Sequence, residues 1–215
     1  MKCIDVHCYY GIWPFPVRDM SIGDILEIMK PLEMEKCILM SAQSILYDFV
    51  AGNAELAEAI SGHANLYGYV YVNMHYPELS LLEMEKYLSL DQFVGLKYNG
   101  EYSRAPASAP ENDAIFDLLE KQYQKPLLLH TWGLPEHGNV MAYSLPAQSL
   151  ELVRRHPRLK VVMGHMGALS GCPPSGPPGI RTTSTWIPAL PTQTATRWQP
   201  RSGRWALSGC CSARE

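Results

Sequence analysis

Apolar residues gather in six short runs along the chain, at 3–7, 37–41, 66–73, 93–99, 126–131 and 160–165. Each run is rich in Val, Ile, Leu, Tyr or Phe and too short for a helix, so each predicts a β-strand. Between the runs, residues 22–29, 53–60, 79–88, 114–123 and 149–155 repeat apolar positions three and four apart, the spacing of an amphipathic helix. Ser21 and Asn53 stand where N-caps are expected, because a short polar side chain there can accept a hydrogen bond from the first turn.

Strands that alternate with helices predict a parallel sheet joined by right-handed crossovers. A doubly wound sheet and a (β/α)8 barrel share that alternation. The polar residues separate them: His7, Ser41, Asn73, Asn99, His130 and His165 each lie at the C-terminal end of a run. In a barrel those ends converge on one mouth, whereas a doubly wound sheet brings together only the ends near its switch point. The expected fold is therefore α/β, a TIM-barrel-like (β/α)8 arrangement truncated after about six βα units. No GxGxxG or GxxxxGK[ST] occurs, so a nucleotide site has no support.

The pattern stops near Leu169. Residues 170–215 contain no Lys, Asp, Val, Phe, Tyr, Met, His or Asn, yet hold three of the five Trp and the string CPPSGPPG. The expected division is a partial barrel over 1–169 and an irregular Pro/Gly/Arg-rich tail over 170–215. One reading of the tail is a Pro-rich linker. The other is a shift of reading frame near residues 168–171. Read from each third codon base, TTSTWIPA can give NVYLDTS and WQPRSGRWALSGCCSAR can give AAALRPLGAERLLFGS. In that frame Trp186-Ile187 must yield Asp and Trp205-Ala206 must yield Gly.

The chain has 215 residues, 47% apolar and 18% charged, with a net charge of −3 when its seven His are neutral. That balance predicts a globular domain and no nucleic-acid or anionic-membrane partner, since both call for basic patches. No run approaches a membrane span, and no basic-then-apolar leader pattern opens the chain, so a cytoplasmic location is expected. Cys3, Cys8 and Cys37 lie in strand-like runs and read as small buried hydrophobes, with no CxxC to suggest a metal ribbon or redox site.

Four strings, IDVHCYYG, FVGLKYNG, KPLLLHTWG and LKVVMGHMG, fall in order at strand ends over residues 1–169. Together they resemble the amidohydrolase superfamily, in particular the amidohydrolase-related family that includes 2-amino-3-carboxymuconate-6-semialdehyde decarboxylase and γ-resorcylate decarboxylase. The resemblance implies a distorted barrel with one divalent metal, zinc being the expected ion, at its mouth. It implies hydrolysis of a C–N or C–O bond, or decarboxylation, of a small carboxylated substrate, and a homodimer as the possible assembly. Carried over residue by residue, His7 is the first ligand of an HxH pair, His130 is the fifth-strand ligand, and His165 is the catalytic His that moves a proton. Tyr9 stands where the second His of HxH belongs, and the eighth-strand Asp has no counterpart in the frame as written. An alternative is a metal-free, non-catalytic barrel that binds a small molecule, or an inactive remnant.

Each of these residues also has a plainer reading. Tyr9 is expected to donate a hydrogen bond to substrate or to pack. Lys97, at the end of the fourth run, is expected to contact a charged substrate group or form a salt bridge within the barrel. Asn99 occupies a place where the family often has His, and counts with Tyr9, Lys97 and Trp132 as substrate-binding. Trp13 and Trp132 fall in loops after strands and could wall a pocket for a planar ligand. His63, His75, His137 and His156 are expected to be solvated.

Overall fold

The computed structural model describes residues 3–132 and 142–165. The expected tail, its boundary near Leu169, and His137 lie outside the described residues. Six strands are present: β1 (Cys3–Tyr10), β2 (Met34–Ser41), β3 (Leu66–Tyr71), β4 (Phe93–Tyr98), β5 (Leu127–His130) and β6 (Val161–Gly164). All neighbours pair in parallel, and the spatial order is the chain order, β1-β2-β3-β4-β5-β6. A doubly wound sheet would reverse direction at a switch point. This sheet never reverses; it curls into a six-strand arc of the barrel type. Among the described residues no helix is long and apolar enough to cross a membrane.

The crossovers carry α1 (Ile22–Met29), α2 (Ala42–Leu46), α3 (Phe49–Ile60), α4 (Pro77–Leu88), α5 (Gly100–Ser103), α6 (Asp113–Leu118) and α7 (Pro146–Arg155). Helix α6 runs on into a π-helical turn at Leu119–Tyr123. Ser21 caps α1 as expected, accepting from Asp24 N while the Asp24 carboxylate accepts from Ser21 N. Two cores follow from strand alternation. On the outer face Leu39, Val70, Leu96, Leu127 and Met163 pack against helix residues such as Ile25, Leu56 and Phe116. On the concave face Met40, Tyr69, Tyr71 and Leu128 pack with Ile45 and Phe49.

Asn53 is not a cap. Helix α3 starts earlier, with Asp48 accepting from Val50 N and Ala51 N. Asn53 sits fully buried in the second turn, and its amide accepts from Tyr71 N at 2.9 Å and donates to Tyr71 O at 3.0 Å. The β2–β3 ladder ends at Leu39 and Gly68, so the side chain replaces the strand partner that Tyr71 lacks on that edge. The same Nδ2 donates to Glu83 Oε2 at 2.9 Å, and burial raises the Glu83 carboxyl above its ordinary range.

His156 also departs from expectation. It is 1% exposed, with Nε2 3.0 Å from Asp113 Oδ1 and Nδ1 3.1 Å from Asp117 Oδ1. The helix end that made it look solvated turns inward, and the two carboxylates from α6 satisfy both ring nitrogens.

Candidate functional site

The site begins with an irregularity in β1. Asp5 opposes Cys37 and Cys8 opposes Leu39, so Val6 and His7 together face the single residue Ile38. Two residues against one make a β-bulge. Cys37 and Leu39 belong to the outer core and Met40 to the concave core, which places Asp5 and Cys8 outward and Tyr9, opposite Met40, inward. The bulge turns His7 into the mouth, where a Cβ added to Gly164 at the end of β6 would come within 3.1 Å of His7 Cε1.

The mouth gathers the expected residues from four strands. The His7 and His165 rings lie 5.3 Å apart, centre to centre, and those of His165 and His130 lie 4.9 Å apart. Trp132 stands edge-on to His165 at 4.9 Å and parallel to His130 at 6.2 Å. His165 reaches this position with a left-handed backbone, φ 59°, a conformation that costs a non-glycine residue about 1–3 kcal/mol and persists where neighbours enforce it. Lys97 on β4 is fully buried. Its Nζ and the Nδ1 atoms of His7, His130 and His165 are all buried without a hydrogen-bond partner.

Four unpartnered polar nitrogens in one buried cluster are unusual, since buried polar groups are nearly always satisfied. Their electrostatics follow from that burial. Desolvation pushes Lys97 down to about 7. It holds His7 and His130 well below the ordinary imidazole range, with Lys97 and the neighbouring imidazoles adding to the effect. His165 falls to about 4, first through burial and then through Lys97. The three imidazoles are therefore neutral at pH 7, and among the described residues no carboxylate raises the pKa of any of the three rings.

Tyr9 does take the place beside His7. Its hydroxyl is 3.4 Å from His7 Nε2, and burial keeps the phenol protonated far above neutral pH. Its ring lies 4.7 Å from Trp13, and Trp13 lies 6.2 Å from Tyr102, giving an aromatic wall on the β1 side. Tyr102 carries no sequence signal; its position depends on α5, which is too short to show a period. Asn99 is buried beneath that turn. Its Oδ1 accepts from Glu101 N at 3.1 Å and Tyr102 N at 3.5 Å, so its oxygen caps α5. Lys97 has no salt-bridge partner among the described residues.

The chemistry of these donors suits a divalent metal, although the three imidazoles do not bring one nitrogen each within 4.8 Å of one another. Each of three neutral imidazoles keeps a buried nitrogen with no other partner, the state in which an imidazole ligates metal. The usual anionic ligand is not supplied by Asp5, which faces outward and accepts from the His7 backbone amide at 2.9 Å.

The sequence profile of the family described as Amidohydrolase matches residues 48–207. No curated protein matches the chain in sequence. Among solved structures, the chain is similar to 2,6-dihydroxybenzoate decarboxylase from Rhizobium, with 19% identity and a TM-score of 0.63 over 77% of this chain and 67% of that one. It is similar to dihydroxybenzoic acid decarboxylase from Polaromonas sp. JS666, solved with manganese and the inhibitor 2-nitroresorcinol, with 18% identity and a TM-score of 0.60 over 77% and 65%. A third is 5-carboxyvanillate decarboxylase from Novosphingobium aromaticivorans, solved with manganese and 4-hydroxy-3-methoxy-5-nitrobenzoic acid, with 17% identity and a TM-score of 0.62 over 77% and 65%. The chain thus spans about two thirds of the length of each.

Proposed function

The chain belongs to the amidohydrolase family, and from that premise we propose that it is a metal-dependent lyase or hydrolase acting on a small carboxylated aromatic compound, with decarboxylation the favoured reaction. The observation that carries this reading is the buried cluster of His7, His130, His165 and Lys97 with its four unpartnered nitrogens. His7 and His130 hold a divalent metal, manganese or zinc, which when bound polarises a substrate oxygen or lowers the pKa of a bound water. Lys97 is the one amine of the cluster among the described residues, and it takes up a proton as it binds the substrate carboxylate. Trp132 on one side and the Tyr9–Trp13 pair on the other flank a planar ring. His165, neutral at pH 7, accepts a proton from a substrate hydroxyl and returns it to the ring carbon as the bond to the carboxyl group breaks and carbon dioxide leaves.

The test is elemental analysis of purified protein with carbon dioxide release measured from 2,6-dihydroxybenzoate and 5-carboxyvanillate. We expect bound metal, lower by one ion per chain in His130→Ala, together with at least a hundredfold fall in rate. A second reading, a metal-free binding barrel, is favoured by Tyr9 in place of a second strand-one His. Hydroxybenzoate binding that is unchanged by a chelator and by His130→Ala, with no carbon dioxide released, would establish that reading and discard the first.

A further inference from the structure

The bulge in β1 has an effect on the opposite face. In a regular strand residues three apart point to opposite sides. Here the extra residue puts Asp5 and Cys8 on the same outer face, beside Cys37 of β2. A carboxylate oxygen of Asp5 and the sulfurs of Cys8 and Cys37 all lie within 4.8 Å of one another. Tetrahedral zinc with bonds of about 2.3 Å to sulfur separates its ligand atoms by about 3.8 Å, so small side-chain adjustments close this set around an ion.

Three further observations point the same way. Both cysteines are free thiols and buried. Asp5 is half-buried, and no cationic side chain pairs with it among the described residues. Cys3, two residues before Asp5 on the same strand, is also a buried cysteine. The only other such cluster among the described residues, Asp117, Glu120 and His156, is already occupied by Lys121 and Arg158 and by the imidazole between two carboxylates.

We propose that Asp5, Cys8 and Cys37 form a second metal site, a structural zinc site on the outer face of β1 and β2, distinct from the mouth. Binding displaces the two thiol protons to solvent and leaves two thiolates and one carboxylate on the ion, with Cys3 or water completing the tetrahedron. The ion ties Asp5 to Cys8 across the bulge, and His7 lies between them. The site therefore fixes the backbone that presents His7 to the mouth.

Cobalt(II) is the probe, because its sulfur-to-metal charge-transfer absorption reports thiolates and not imidazoles. The full chain is used with Cys172, Cys210 and Cys211 changed to Ser, so that only the three strand cysteines remain. We expect a thiolate band saturating at one cobalt per chain, at least tenfold weaker cobalt affinity in Asp5→Asn, loss of the band in Cys8→Ser and Cys37→Ser, and a retained band in His130→Ala. X-ray absorption of the His130→Ala chain loaded with one zinc, which leaves β1 and β2 unchanged, should show two or three sulfur neighbours at about 2.3 Å. Only nitrogen and oxygen neighbours, a band indifferent to Cys37→Ser, or a Cys8–Cys37 disulfide in a non-reduced peptide map would each overturn the proposal. Failure of the mouth to hold metal would leave these readouts unchanged.

Discussion

Replacing Lys97 with Met should stabilise the fold while removing function. Lys97 is fully buried with an unpartnered amine, and burial lowers its pKa from the ordinary 10.5 to about 7. Between pH 7 and 10.5 the unfolded chain therefore binds a proton that the folded chain has released. Stability of the parent chain rises with pH across that window, by about 1.4 kcal/mol per pH unit, and the full penalty applies below pH 7. Methionine has a similar shape and carries no charge, so Lys97→Met abolishes this dependence. The corresponding gain is about 4 kcal/mol at pH 7 and about 2 kcal/mol at pH 9. Water penetration and relaxation reduce such figures, so a measured gain of about 2–4 kcal/mol at pH 7 is expected. Urea unfolding at pH 7, 8 and 9, with chelator present, gives the comparison; at a slope of about 2 kcal/mol per molar the midpoint should rise by about 1–2 M at pH 7. Activity, or hydroxybenzoate binding, should fall at least tenfold in the same variant. A gain under about 0.5 kcal/mol that does not change between pH 7 and 9 would refute the reasoning, because it would mean that the amine is solvated or paired.

Other outcomes follow from the same geometry. Asn53→Ala leaves Tyr71 N, Tyr71 O and the Glu83 carboxylate without their buried partner; at about 1–3 kcal/mol per orphaned group, partly relieved by water, a loss of about 2–5 kcal/mol is expected in urea unfolding. Gly164→Ala places a Cβ 3.1 Å from His7 Cε1 and 3.3 Å from Leu129 O; metal affinity at the mouth should fall about tenfold with the far-ultraviolet circular dichroism unchanged. Acid should destabilise the chain through its buried imidazoles. His165 stays neutral down to about 4, so between pH 6.5 and 4 the unfolded chain takes up a proton that the folded chain refuses, and stability falls as pH falls, an effect that His165→Gln should diminish.

The strands were legible because buried parallel strands are apolar throughout, and β3 to β6 start and stop within two residues of their apolar runs. Chain order at the sheet was legible from the polar residues at the run ends. Less was visible where a residue's role depends on distant partners. Asn53 looks like a cap because an Asn at the head of an apolar repeat usually is one; only the early end of the β2–β3 ladder, a long-range fact, recruits it to Tyr71. Helices α2 and α5 are too short for a period to appear, although Ser41 and Asn99 hold the capping positions that start them. His7, His130 and His165 could be placed at one mouth from strand ends alone. That Lys97 has no counter-charge there among the described residues, and that Asp5 turns away, could not, since both depend on which way a bulged strand faces.

That bulge divides β1 into two ladders of opposite phase, and so gives one strand two separate inheritances. Substitution at Tyr9 alters what the concave side can hold without moving Cys8, and substitution at Cys8 alters the outer side without replacing His7. The removal of one residue between Asp5 and Cys8 would act on both at once, exchanging the faces of everything on one side of the deletion. Among related chains, changes at 5 and 8 should therefore occur independently of changes at 7 and 9, while the length of this short segment should not vary.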